Sequence, residues 1–182
     1  MPAAREIVNP IIGDKVIFHK TSRETGNKET LIEVELAVNG GNGLHYHRRF
    51  AESFTAVEGQ LSLEADGEII RLQPGESATV QPMTVHRFFN ETNQRIRFMV
   101  SLKPGSEGFE KVLQIAYGMA CDGLVRPSGA PKSLQHLALI ATIGETNLPG
   151  IFKLMEPLFG WMAKRAINAG VLAELEARYC RL

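Results

Sequence analysis

The stretch "GNGLHYHRRFAESFTAVEG", residues 41–59, sets His45 and His47 one residue apart and places Glu52 after four intervening residues. On an extended chain successive side chains alternate, so His45 and His47 project from the same face. Glu52 follows a short break, on a stretch where Phe54 shares its side. The chain has five histidines in all, so two of them at this spacing ask whether a third converges on the pair. Alone, a His-x-His means little and is more readily explained by surface or packed histidines.

The stretch "PGESATVQPMTVHRFFN", residues 74–90, supplies the third imidazole, His86, on a face shared by Phe88 and Asn90. Three imidazoles and one carboxylate on adjacent antiparallel strands form a mixed nitrogen and oxygen set suited to a divalent first-row metal. The imidazoles bind in their neutral form, which is accessible near pH 7.

The surrounding sequence supports strands up to about residue 103. In "LIEVELAV", residues 31–38, Ile32, Val34, Leu36 and Val38 alternate with Glu33, Glu35 and Ala37, the period of a half-buried antiparallel strand. Residues 60–75 read as a hairpin that turns at Asp66-Gly67. "RIRFMVSL" repeats the alternation with Ile96, Phe98, Val100 and Leu102. Many short strands with frequent turn residues and no helical crossover predict an antiparallel sandwich or barrel covering roughly residues 14–103. After "KPGSEG" the period becomes helical. Four sets mark helices: Phe109 to Ala120, Leu134 to Ala141, the stripe Ile151, Leu154, Met155, Leu158 and Met162, and Ile167 to Tyr179. Pro157 is expected in a first turn or at a kink.

The two histidine stretches resemble the two motifs of the cupin superfamily. His45, His47, Glu52 and Gly59 match the first, with Asn39 at the usual leading glycine and Gly40 and Gly41 just after it. Gly75, His86 and Asn90 match the second, with Gln81 at the usual proline and Met83 at the usual glycine. Fifteen residues, Gln60 to Pro74, separate the motifs, as in small bacterial cupins. The resemblance covers about residues 28–103. It implies a mainly β fold, a double-stranded β-helix or jelly-roll barrel (residues 1–105), followed by a C-terminal helical extension (residues 106–182). It also implies His45, His47, Glu52 and His86 as metal ligands, with Asn90 and Gly59 structural. The ion would be iron, manganese, nickel, zinc or copper.

The remaining features bound the function. Lys plus Arg and Asp plus Glu balance at 20 each, so no bulk charge draws nucleic acid or anionic membrane. The tail after residue 120 is apolar, lacks a basic recognition helix and argues against DNA binding. "LALIATI" is the most apolar window at seven residues, against roughly 20 needed to cross a bilayer. No secretory signal is visible in "MPAAREIVNP", and Cys121 and Cys180 fit no zinc or redox spacing, so a cytoplasmic location is expected. Phe54, Phe88, Phe98 and Met99 are candidates for an apolar pocket or plain core. Arg48 and Arg87 adjoin ligand histidines, and alternation turns them away from the metal.

Two functions fit. One is a metal-dependent, quercetinase-like dioxygenase acting on a small organic molecule, with Glu52 doubling as a base if its coordination loosens. The other is a non-catalytic small-molecule or metal-binding module, since fold alone does not decide. The helices are expected to dock on the barrel through the Ile151–Met162 stripe and bring an aromatic residue to the cavity mouth. Apolar outer faces also suggest a homodimer.

Overall fold

Alternation of buried and part-exposed residues shapes the two central strands, β3 (Thr30–Leu36) and β9 (Ile96–Lys103). Ile32, Val34 and Leu36 on one, and Ile96, Phe98, Val100 and Leu102 on the other, are buried. The strands pair antiparallel, from Thr30 opposite Leu102 to Leu36 opposite Ile96. The structure is a computed structural model that describes residues 5–182, apart from the side chains of Ile151 and Phe152.

Around this ladder lies a six-stranded sheet in the order β1-β2-β3-β9-β4-β7, where β1 is Glu6–Asn9, β2 Asp14–Lys20, β4 Ala51–Glu58 and β7 Ser77–Val80. A second sheet, β6-β5-β8, joins β5 (Leu61–Ala65), β6 (Glu68–Leu72) and β8 (His86–Phe89). Every pairing between these strands is antiparallel. Phe54 and Phe98 of the first sheet share one apolar core with Leu61, Leu63 and Leu72 of the second. The hairpin between β5 and β6 turns at Asp66 and Gly67, with φ of 49° and 85°, the left-handed pair that a two-residue turn requires. Met83 has φ of 72°. The turn therefore keeps the backbone shape that the motif's glycine would adopt, now with a side chain attached. Among the described residues, no strand of four or more residues lies between 131 and 178.

Four α-helices follow: α1 (Glu107–Cys121), α2 (Leu134–Ile143), α3 (Glu156–Asn168) and α4 (Val171–Tyr179), with a 3₁₀ segment Gly150–Met155 leading into α3. Ser106 caps α1, its hydroxyl accepting from the Phe109 N–H at 3.2 Å. Pro157 sits in the first turn of α3, where its missing N–H costs nothing. Helix α1 docks on the sandwich twice over. Phe109 and Tyr117 enter the apolar core of the sheets. Glu110, buried on the same helix, accepts from the Ser22 N–H at 2.6 Å and from the Thr30 hydroxyl at 2.5 Å. A second core of Ile115, Met119, Leu139, Ala163, Ala166 and Leu175 knits the helices together.

Three expectations need correction. The stripe through α3 does not bury itself on the sheets: Leu154 is 81 % exposed and Leu158 48 %, while Met155 is also exposed. The 3₁₀ segment advances 120° per residue rather than 100°, so one helical period does not run from 151 to 162. Helix α3 turns Phe159, Ala163 and Ala166 inward instead. Trp161 on the same helix is exposed as well, and the part of the stripe resting on the Ile151 side chain lies outside the described residues. Likewise Gly170, at φ of 80°, divides the Ile167–Tyr179 set between α3 and α4. Met99 is the third case: it alternates with Phe98 and Val100 and so faces away from the cavity.

Candidate metal centre

The His-x-His pair does not ride on a regular strand. It lies on a short segment held from both edges. His45 and His86 exchange both backbone hydrogen bonds, at 3.0 and 2.8 Å. On the opposite edge Tyr46 and Asn147 do the same, each at 3.0 Å. Glu52 comes from the second residue of β4, on the inward face with Phe54 and Ala56. All four candidate ligands are thereby brought together and buried. Their ligating atoms lie within 4.8 Å of one another. Atoms ligating one ion at about 2.1 Å are at most about 4.2 Å apart, so small side-chain shifts close the set.

The ring tautomers suit a metal. Nδ1 of His45 lies 2.9 Å from the Gly43 carbonyl oxygen, Nδ1 of His47 3.0 Å from that of Glu145, and Nδ1 of His86 3.0 Å from that of Thr84. A carbonyl only accepts, so each Nδ1 carries a proton and each Nε2 is the ring nitrogen turned to the centre. His86 Nε2 lies 2.9 Å from Glu52 Oε2. His47 Nε2 is 3.3 Å from the same oxygen but not aligned for a hydrogen bond, and it is left as a buried nitrogen without a partner. An orphaned ring nitrogen beside a buried carboxylate is what a cation at the centre would resolve.

The electrostatics agree. Burial, reinforced by the neighbouring His47 and His86, pushes the His45 imidazolium down to about 3, so the ring is neutral at physiological pH. Burial alone would raise Glu52, but its contacts with His47 and His86 outweigh this and hold the carboxyl well below the usual range. Burial opposes the His86 cation too, and the Glu52 hydrogen bond and charge overcome it, so His86 is raised. The site is a carboxylate that attracts positive charge within a ring of imidazoles. These residues fit a divalent metal ion.

His45 and Glu52 also line a cavity of about 340 Å³ between the sheets and the helices, at the small end of ligand cavities, roughly 300–1,000 Å³. Its walls are largely apolar: Val34, Phe88 and Val100 from the sheets, and Phe109, Leu113 and Ile140 from the helices. Phe109 is the aromatic residue expected at the cavity, and it also meets the His47 ring edge-on at 6.0 Å between centroids. Of the pocket candidates, Phe88 lines this space, whereas Phe54 and Phe98 are core. The arginines beside the ligands turn outward, Arg48 to Glu156 and Arg87 to Glu64. Asn90 is structural: its amide donates to the carbonyls of Ala37 and Gln94 at 3.0 and 2.8 Å. Sequence reasoning missed Asp14, Tyr117, Glu145 and Asn147, which the fold brings to the cavity or to the ligand segment from distant positions. Asp14 alone left a signal, since it shares its alternation face with Val16 and Phe18.

Comparisons with known proteins find likenesses over part of the chain. Residues 32–102 match the Cupin_2 family, the Cupin domain. Over 114 residues, 62 % of this chain, the sequence is 41 % identical to a quercetin 2,3-dioxygenase of Bacillus subtilis. The chain spans only 31 % of that protein's length. A crystal structure of a predicted oxalate decarboxylase from Thermotoga maritima superposes with a TM-score of 0.51 at 16 % identity, covering 57 % of this chain and 94 % of that one. An RmlC-like cupin from Shewanella frigidimarina gives 0.48 at 20 % identity, over 58 % of this chain and 88 % of that one. The Thermotoga match bears on fold alone. Among the described residues, no helix is long and apolar enough to cross a membrane. Residues 32–102, with their antiparallel sheets and convergent histidines and glutamate, thus form a Cupin domain of the cupin superfamily, to which the C-terminal helices are appended.

Proposed function

We propose that this protein is a metal-dependent oxygenase acting on a small, largely apolar aromatic molecule, with His45, His47, Glu52 and His86 as the metal ligands. The observation that carries the reading is that His45 and Glu52 open directly onto the apolar cavity, so a ligand held there lies against the metal centre. The likeness to a quercetin 2,3-dioxygenase adds support for dioxygenase chemistry, within the part of the chain it covers. A bound ion would supply Lewis acidity toward substrate oxygens. The chain's own residues supply the rest. The Nδ1 hydrogen bonds to Gly43, Glu145 and Thr84 orient the three rings. Phe88, Phe109 and Leu113 exclude water and present flat apolar surface to an aromatic ring. Glu52 accepts a proton from the substrate only when its imidazole contacts loosen, because in their company it is a weak base.

The test is metal analysis of protein purified without added metal, followed by oxygen uptake with quercetin and simpler hydroxylated aromatics. About one ion per chain is expected, together with uptake that chelation abolishes and that Glu52→Gln and His86→Ala both lack. A metal-loaded protein that binds aromatics yet consumes no oxygen would make the chain a binding module rather than an enzyme.

A further inference from the structure

Asp14 opens β2 on that strand's inward face, and it is 2 % exposed. Its Oδ2 accepts a hydrogen bond from the hydroxyl of Tyr117 on α1, a residue that is itself buried. Its Oδ1 is sealed from solvent and has no hydrogen-bond partner among the described residues. Both residues line the cavity that His45 and Glu52 also line. A carboxylate with one unanswered oxygen in an apolar wall weakens the fold, and a packed apolar side chain would serve the core better. Burial pushes the Asp14 carboxyl up to about 7, and the Tyr117 hydrogen bond pulls it back only in part. An unanswered oxygen at the edge of a ligand cavity is explained by a group that the ligand brings.

The register shows where this pair sits. Asp14 pairs with Leu36, and Leu36 with Ile96. Glu52 pairs with Leu102, and Leu102 with Thr30. From Thr30 to Leu36 is roughly 20 Å along a strand. Asp14 and the metal centre therefore mark opposite ends of the sheet that forms one wall.

The geometry points to Asp14 and Tyr117 as a second, polar end of the ligand cavity, a subsite that accepts a hydrogen bond from a hydroxyl or amino group on an otherwise apolar aromatic ligand. The inference rests on the cavity's being the ligand site of the proposed function, and it requires no turnover. It narrows the substrate class to aromatics with a donor group remote from the end that meets the metal.

The experiment is equilibrium binding to the full-length protein, read by fluorescence, with 2-naphthol, 2-naphthylamine and the donor-free 2-methoxynaphthalene as probes. At pH 8, where the Asp14 carboxylate is charged, wild type should prefer 2-naphthol to the methoxy probe by about tenfold, the value of a hydrogen bond to a charged acceptor. Asp14→Ala should bring that ratio to about one, and Tyr117→Phe, which untethers the carboxylate but keeps it, should lower the ratio in part. An equal preference for the naphthylamine identifies a general donor site, and none identifies a hydroxyl site; both support the assignment. Protein stripped of metal by chelation should keep the preference. A preference that disappears on chelation but survives in Asp14→Ala would assign the donor to the metal centre and overturn the proposal. So would an unchanged ratio in both variants, or no saturable binding of any probe. Absence of metal or of oxygen uptake would overturn the oxygenase reading and leave these ratios where they are.

Discussion

The ring of His47 is held by Glu145, 98 residues further along the chain, whose backbone carbonyl oxygen accepts from Nδ1 at 3.0 Å. The candidate ligand set thus draws on both halves of the protein: the segment before β4 presents the imidazole, and the segment after α2 fixes which nitrogen faces the centre. Asn147 braces that segment. Its side-chain amide donates to the Glu145 carbonyl at 2.9 Å and to the Tyr46 carbonyl at 3.2 Å, between the two histidines.

Asn147→Ala should therefore loosen His47 without touching any ligand. Metal affinity is expected to fall about tenfold or more, the usual effect of losing a group that orients a ligand. Chelator competition measures it, and thermal unfolding of the metal-free protein checks that the fold survives. An unchanged affinity would show that the carbonyl of Glu145 holds its place unaided.

Removing the helices altogether should do far more. Phe109 and Tyr117 are part of the sheets' own core, and the buried Glu110 satisfies the Ser22 N–H and the Thr30 hydroxyl. Truncation after Gly105 uncovers the cavity and strands those donors, each at a cost of about 1–3 kcal/mol. The expected product is insoluble or binds a hydrophobic dye strongly. A soluble, folded, metal-loaded sandwich would mean that the helices are a separate module.

The clustering of the four candidate ligands was legible because strand alternation and motif spacing are local properties. A period of two placed His45 and His47 on one face, the spacing of the two motifs added Glu52 and His86, and the antiparallel sheets followed from the alternation in Ile32–Leu36 and Ile96–Leu102. What sequence could not supply depends on long-range docking. Glu145 acts through its backbone, so its side-chain identity carries no signal at all. Tyr117 meets Asp14 across 103 positions. The α3 stripe misled because periodicity reports that a helix has an apolar side, and says nothing about whether the chain folds that side inward. Leu154, Leu158 and Trp161 remain on the surface.

Met83 offers a test of the one motif position where sequence and backbone disagree. Its φ of 72° lies in the left-handed region, where a side chain costs about 1–2 kcal/mol. Its N–H donates to the His47 carbonyl at 2.7 Å, so the turn is held against the ligand segment. Met83 is 48 % exposed, and replacing it leaves little void. Met83→Gly relieves the strain and gives back part of it as unfolded-chain entropy, about 0.5–1 kcal/mol. A net gain of about 0.5–1 kcal/mol in urea unfolding is expected, with metal content unchanged. A loss of stability would mean that the Met83 side chain contributes packing that outweighs its backbone.

Asp14 makes stability depend on pH in an unusual direction. Unfolded, its carboxyl titrates near 4; folded, burial raises it to about 7. The native state therefore holds the proton more tightly. Below about 4 both states are protonated and no charge is buried. Between about 4 and 7 the unfolded chain releases its proton first, so stability falls as pH rises. Above about 7 the native carboxylate is charged and the full penalty applies, on the order of 4 kcal/mol. Asp14→Asn removes the titration and keeps an amide oxygen that can accept from Tyr117. The variant should unfold at a higher temperature than wild type at pH 8, with a clearly smaller difference at pH 5, as thermal scans at the two values would measure. A difference of equal size at both would show that the Asp14 carboxyl keeps an ordinary titration inside the protein, and that its buried oxygen finds a partner in solution.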